Sequence, residues 1–124
     1  MSRQCVLILD DDEDLRDVLG TTAEEVFGWS WIGVSSVQAL IELGPRALAS
    51  DLAILDINLG LDQPSGLDAF AWLGAHHFGG RIIFLTGHAT THPLVDKAQR
   101  QKLASIHQKP LNMDELGQLL SEAP

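Results

Sequence analysis

Four short strand-like runs, each followed by a polar or charged side chain, most constrain how this chain can fold. VLIL at residues 6–9 leads into Asp10, and LAIL at residues 52–55 leads into Asp56. IIFL at residues 82–85 leads into Thr86, and SIHQ at residues 105–108 leads into Lys109. Continuous β-branched and leucine runs are typical of strands that are buried on both faces of a parallel sheet. Because ligands bind at the carboxyl ends of such strands, we expect the four polar groups to meet at one edge.

Helical patterns alternate with these strands. The helix predicted over residues 13–27 has Asp12 as its N-cap. Its predicted buried stripe consists of Leu15, Val18, Leu19, Thr22 and Val26. The predicted strands are residues 6–10, 29–34, 52–56, 81–86 and 106–108. The other predicted helices are a short one after Ser35 or Ser36 that breaks at Gly44-Pro45, one after Ser65, one over residues 93–103, and a last one capped by Asn112. Such alternation predicts an α/β fold with helices on both faces of a parallel sheet.

Composition limits the class of protein. A chain of 124 residues fits one domain with one core, and 45% hydrophobic with 20% charged residues is ordinary for a soluble globular protein. No apolar run reaches the roughly 18 residues that span a bilayer, and the single cysteine, Cys5, cannot form an internal disulfide. We therefore expect a cytoplasmic protein that does not enter a membrane. A net charge of −9 argues against direct nucleic-acid binding, which needs a clustered basic patch.

The carboxylates of Asp10, Asp11 and Asp56 are expected to lie close together at adjacent strand ends. Two such charges about 4 Å apart repel by roughly 4 kcal/mol at an effective dielectric near 20. A cluster of this kind persists by retaining a proton or by holding a cation, and a carboxylate-rich, partly open site suits Mg²⁺. For Asp12 and its acidic neighbours in the first helical turn, a solvated helix start is the better interpretation.

The same edge offers the groups that phosphoryl transfer requires. A carboxylate can attack phosphorus to give an aspartyl phosphate, while a metal and hydrogen-bond donors neutralise the phosphoryl oxygens. Thr86 and Lys109 supply a hydroxyl and an ammonium from the next two strands.

Together these motifs resemble the receiver domain of bacterial two-component response regulators, over nearly the whole chain. The motifs are VLILDDDEDLR at residues 6–16, LAILDINL at 52–59, IIFLTGHA at 82–89 and QKPLNMDEL at 108–116. The resemblance implies a flavodoxin-like, doubly wound five-stranded parallel sheet of order 2-1-3-4-5, flanked by five helices. It also implies a single receiver domain over residues 1–124, with no output domain in this chain.

The resemblance assigns roles to particular positions. The implied site is Asp56 as phosphoacceptor, Asp10 and Asp11 as the acidic pair that holds Mg²⁺ with Asp56, Asn58 through its backbone carbonyl as a further metal ligand, Thr86 as the hydroxyl that turns toward the phosphoryl group, and Lys109 as the lysine that pairs with it. The register of the aspartate triplet stays slightly open, and Asp10-Asp11 is favoured because the apolar run stops at Leu9.

Other positions tune or depart from the family pattern. Asn58 and His88 flank the chemistry, where receivers differ in phosphoryl lifetime; His88 either orients or blocks the attacking water or is an exposed loop residue. Ile106 stands where receivers usually carry an aromatic switch residue. The loop over residues 60–65 is about two residues longer than usual, and the predicted fourth helix ends without its usual glycine. Two of these departures fall on the face through which receivers dimerise or meet partners.

The leading hypothesis is a stand-alone receiver that accepts a phosphoryl group on Asp56 from a histidine kinase or phosphotransfer protein. It would then hydrolyse that group slowly by itself and change its affinity for a downstream target protein, with a homodimer through the fourth-helix face as one form of output. The alternative is a receiver-fold interaction module whose protein binding is constitutive. A third is that the chain is a fragment of a larger regulator.

Overall fold

A computed structural model describes residues 4–57, 59, 64–87, 104–109 and 111–122 of the chain. Its strands and helices are β1 Cys5–Leu9, α1 Glu13–Phe27, β2 Ser30–Val34, α2 Val37–Leu43, α3 Pro45–Leu48, β3 Leu52–Asp56, α4 Gly66–Ala75, β4 Arg81–Thr86, β5 Ala104–Gln108 and α5 Met113–Glu122. The five strands form one parallel sheet in the order β2-β1-β3-β4-β5. The predicted α/β class and the strand order 2-1-3-4-5 are confirmed.

The sheet is covered on both faces because alternate residues of its strands point to opposite sides. One face carries a hydrophobic cluster to which the strands contribute Leu7, Leu9, Leu55 and Phe84, and α2, α3 and α4 contribute Leu40, Ala47 and Leu73. The other face packs Ile8, Ile54 and Ile83 against α1 and α5 through Leu19, Ala23, Leu116 and Leu120. None of the helices in the described ranges is long and apolar enough to cross a membrane.

Helices α1, α2 and α5 begin where a side chain accepts a hydrogen bond from a free backbone amide. Asp12 Oδ1 accepts from the Leu15 amide at 3.2 Å, and Ser36 Oγ accepts from the Ala39 amide at 3.1 Å. Asn112 Oδ1 accepts from the Glu115 amide at 2.8 Å. The predicted caps Asp12 and Asn112 are thereby confirmed, and of the two candidates Ser35 and Ser36 it is Ser36 that caps α2.

The buried stripe predicted for α1 is partly wrong. Val18 and Val26 are 62% and 52% exposed, whereas Gly20 and Ala23 are buried with Leu19. The helix turns its small residues inward because the ring of Trp31 lies directly on Gly20, where a Cβ atom would come within 2.1 Å of Trp31 Cδ2. Shape complementarity with β2 therefore decides which face of α1 is buried.

Several element bounds differ from those predicted. The first strand ends at Leu9, so Asp10 follows it, and the second begins at Ser30 rather than at residue 29. The fifth strand begins two residues before the predicted Ile106. A short helix, α3, follows the predicted break at Gly44-Pro45. The helix predicted over residues 93–103 and the loop residues 60–63 lie outside the described residues.

Candidate functional site

The carboxyl ends of four neighbouring strands bring the predicted side chains to one edge of the sheet. Asp10 follows β1, Asp56 ends β3, Thr86 ends β4, and Lys109 follows β5. Three of these polar residues are almost completely buried, since Asp10, Asp56 and Thr86 are 1%, 3% and 2% exposed. Polar groups are rarely buried so deeply unless they are paired or functional, so this edge is the candidate site.

Three carboxylates meet there. Asp10, Asp11 and Asp56 each offer an oxygen atom, and these atoms lie within 4.8 Å of one another. Asp10 and Asp56 are buried, whereas Asp11 is exposed, so the cluster opens to solvent on the side of Asp11. Asp12 instead caps α1, so of the three consecutive aspartates Asp10 and Asp11 are the two whose carboxylates cluster with Asp56.

The ammonium of Lys109 lies between two of these carboxylates. Its Nζ atom is 2.9 Å from Asp10 Oδ2 and 3.1 Å from Asp56 Oδ2. Burial acts to lower the pKa of Lys109, but the hydrogen bond to Asp10 and the charges of Asp56 and Asp10 outweigh burial and raise the pKa above its ordinary value. The lysine is therefore a fixed positive charge at neutral pH.

Backbone hydrogen bonds between neighbouring strands continue to the edge of the sheet where the site lies. The amide of Lys109 donates to the carbonyl of Thr86 at 2.8 Å, so the residue after β5 is tied to the last residue of β4. The amide of Ile57 donates to the carbonyl of Leu85 at 2.9 Å on the other side of β4. Thr86 and Lys109 are thus held in a fixed relation at the sheet edge.

The donor set suits a small divalent cation. All ligand atoms that the three aspartates offer are carboxylate oxygens, the type that Mg²⁺ prefers. Three carboxylates face one ammonium in this group of side chains, so it keeps a formal charge of −2, by the arithmetic −3 + 1. A divalent cation would neutralise that excess, and the exposed Asp11 leaves room for water ligands.

Sequence reasoning missed two residues that shape the site. Arg16 of α1 donates from Nη1 to the carbonyl oxygen of Asp10 at 2.8 Å. Gly66 opens α4 so close to β3 that a Cβ atom there would lie 2.3 Å from the carbonyl oxygen of Asp56. A basic residue one turn into an acidic helix start runs against the helix dipole, and this was the available signal for Arg16.

The remaining predicted positions are described only in part. Asn58 and His88 lie outside the described residues. Ile106 of β5 is half-buried, pairs in register with Phe84 of β4, and packs against the cluster on the face of α2, α3 and α4. The position at which the resemblance implies an aromatic switch residue is therefore occupied by an aliphatic side chain at the edge of the core.

Comparisons with known proteins agree with this architecture. The profile of the family described as response regulator receiver domain matches residues 6–121. An NtrX-like response regulator of Rickettsia bellii is 29% identical over 123 residues, which cover 99% of this chain and 25% of that protein. The chemotaxis protein CheY4 of Vibrio cholerae superposes with a TM-score of 0.80 at 21% identity, over 99% of this chain and 100% of that one. The receiver domain of NtrX from Brucella abortus gives 0.77 at 23% identity, over 94% of each chain.

The solved structures share the fold at low sequence identity, while the family profile covers nearly the whole chain. The chain spans 25% of the length of the curated relatives that it matches, so it corresponds to one part of those proteins. With its fold and its family profile in agreement, the chain belongs to the response regulator receiver domains of two-component systems.

Proposed function

We propose that Asp56 accepts a phosphoryl group from a phosphohistidine of a histidine kinase or phosphotransfer protein, and that this changes the affinity for a downstream protein. In this proposal the 124 residues act as one receiver domain. The observation that carries the proposal is the environment of the Asp56 carboxylate, which is 3% exposed and faces Lys109 Nζ at 3.1 Å beside two further aspartates. A buried carboxylate with a fixed ammonium beside it is prepared for charge to develop on a transferred group.

The chemistry needs the side chains of the site, the phosphohistidine donor, a proton from solvent and a divalent cation. A carboxylate oxygen of Asp56 attacks phosphorus, the new P–O bond forms, and the P–N bond to the donor histidine breaks. The imidazole nitrogen keeps the electron pair of the broken bond and takes up a proton from solvent water. Lys109 pairs with the phosphoryl oxygens, and the Thr86 hydroxyl donates to them.

Asp10, Asp11 and Asp56 would hold Mg²⁺ in this reaction, together with the backbone carbonyl of Asn58 that the family resemblance adds. When bound, the ion neutralises the negative charge on the phosphoryl oxygens. Hydrolysis later returns the free carboxylate: water attacks phosphorus and Asp56 leaves with the electron pair. His88, two residues after Thr86, is proposed to orient or block that water.

The test is whether Asp56 forms a phosphoryl or beryllofluoride adduct. The protein is incubated with acetyl phosphate and MgCl₂, and intact mass is recorded before and after hydroxylamine, which cleaves acyl phosphates. We expect a single hydroxylamine-labile adduct in the wild type and in Asp17→Asn, which removes an exposed aspartate of α1. Asp56→Asn should give none. An adduct on Asp56→Asn, or none on the wild type in the presence of Mg²⁺, would contradict the proposal.

A second candidate function is constitutive protein binding by a receiver fold, and Ile106 favours it. The aliphatic side chain cannot perform the rotamer exchange of a buried-to-exposed aromatic ring, which is the usual link between the site and the β4–β5 edge. Two measurements with and without beryllofluoride distinguish the candidate functions: hydrogen exchange of β4 and β5, and the hydrodynamic mass. Changes on adduct formation support the switch, whereas an adduct without either change supports the constitutive module.

A further inference from the structure

Asp10 is held by its backbone as well as by its side chain. Its amide donates to the carbonyl of Val34 at 3.1 Å, and its Oδ1 atom accepts from the amide of Asp12 at 2.9 Å. Its Oδ2 atom pairs with Lys109. The one polar atom that remains is the carbonyl oxygen, and Arg16 Nη1 donates to it at 2.8 Å.

That carbonyl belongs to the peptide unit that joins Asp10 to Asp11. A peptide unit is planar, so fixing its carbonyl oxygen fixes the plane and the direction in which the next residue leaves it. Asp10 and Asp11 supply two of the three carboxylates in the cluster. The hydrogen bond from Arg16 therefore bears on the relative orientation of two clustered carboxylates.

The arm of Arg16 lies in a space that β2 leaves open. At Gly33, a Cβ atom would lie 3.3 Å from Arg16 Cδ and 2.9 Å from Trp31 Cζ3. The glycine thus admits both the arginine arm and the indole edge beside α1. Because the arm is half-buried between these groups, its guanidinium is directed rather than free to sample solvent.

The guanidinium of Arg16 donates its hydrogen bond to a backbone carbonyl, although acidic side chains surround the start of α1. Among the described residues, Arg16 makes no ion pair with a carboxylate. The oxygens of the aspartate cluster are therefore not neutralised by this cation. Its contact is with the backbone that carries them.

We propose that Arg16 is a positioning residue for the divalent cation: its hydrogen bond to the Asp10 carbonyl sets the geometry of Asp10 and Asp11 before the ion binds. This inference rests on the proposed function, since it presumes that the aspartate cluster holds Mg²⁺. It makes a prediction opposite in sign to that of simple electrostatics. Removing a positive charge near a cation site should tighten cation binding, whereas removing a positioning group should weaken it.

The test compares the Mg²⁺ affinity of Arg16→Gln, Arg16→Lys and the wild type by titrating MgCl₂ into ¹⁵N-labelled protein and following amide shifts. Arg46→Gln is the matched control, because Arg46 is an exposed arginine of α3. We expect Arg16→Gln to bind about tenfold more weakly, the lower end for groups that orient metal ligands. Arg16→Lys, which keeps a donor and the charge, should recover part of the loss, and Arg46→Gln should match the wild type. Unfolding of each variant is followed in parallel, so that affinity refers to folded protein.

The outcomes separate the inference from the function on which it rests. Equal or tighter Mg²⁺ binding by Arg16→Gln, or a loss of stability with unchanged affinity, overturns the positioning role. A wild type whose shifts do not saturate with Mg²⁺, or saturate equally in Asp56→Asn, refutes the proposed metal site itself and the inference with it.

Discussion

Replacing Lys109 with methionine should destabilise the metal-free protein and make its stability depend strongly on Mg²⁺. Lys109 Nζ lies 2.9 Å from Asp10 Oδ2 and 3.1 Å from Asp56 Oδ2. At about 3 Å and an effective dielectric near 20, each of these pairs is worth about 5 kcal/mol before the cost of removing the charges from water. Removing one partner of a buried pair typically costs 3–5 kcal/mol. The lysine side chain is 22% exposed, so we expect about 3 kcal/mol, at the lower end of that range.

The assay is thermal and urea unfolding followed by circular dichroism, once with EDTA and once with saturating MgCl₂. For a chain of this length a loss of about 3 kcal/mol lowers Tm by about 10 °C. Saturating Mg²⁺ should then reduce the difference in Tm between Lys109→Met and the wild type, because a cation that binds only the folded protein replaces the missing ammonium. Arg46→Met, which removes an exposed cation on α3, controls for net charge. Equal stability of Lys109→Met and wild type in EDTA would refute this reasoning. A difference in stability between the two that is the same with and without Mg²⁺ would refute it as well.

Two further predictions concern the same edge. Gly66→Ala should cost about 3 kcal/mol of unfolding free energy and lower Mg²⁺ affinity, because its Cβ would lie 2.3 Å from the Asp56 carbonyl oxygen and a backbone atom cannot move aside as a side chain does. Gly79→Ala is the control, since open space surrounds Gly79, and it should be near neutral in the same urea titration. Equal losses of stability at the two glycines would count against this account. Since the pKa of Lys109 is raised above its ordinary 10.5, its stabilising contribution should be complete below that pH and be lost as pH rises through the higher value. Unfolding followed between neutral and strongly alkaline pH should show this loss in the wild type and lack it in Lys109→Met; identical slopes would disprove it.

The fold could be predicted because the strand runs are short and apolar and are bounded by polar, glycine or proline residues that end regular structure. Leu52–Asp56 and Arg81–Thr86 match their predicted bounds, as does Glu13–Phe27 with its cap at Asp12. Which face α1 buries could not be predicted from helical spacing alone. The large residues Val18 and Val26 fit the spacing, but the indole of Trp31 needs the flat surface that Gly20 provides, and this requirement exists only between elements.

The candidate site divides in the same way. The strand ends alone predict that Asp10, Asp56, Thr86 and Lys109 lie together, since parallel strands bring their carboxyl ends to one edge. The ion pairs of Lys109 depend on the path of a long side chain, which the sequence does not specify. Arg16 acts through a backbone carbonyl, so no pairing of residue types reveals it.

The position of Trp31 gives the protein an optical reporter of its own. The chain has three tryptophans and no tyrosine, so its ultraviolet emission comes from few sources. The indole of Trp31 rests on Gly20 and borders Gly33, where the arm of Arg16 also lies. That arm ends on the Asp10 carbonyl, so the fluorophore is separated from the aspartate cluster by a single side chain. Emission from Trp31 can therefore follow the aspartate segment in unlabelled protein, and replacing Trp29 and Trp72 with phenylalanine would isolate it.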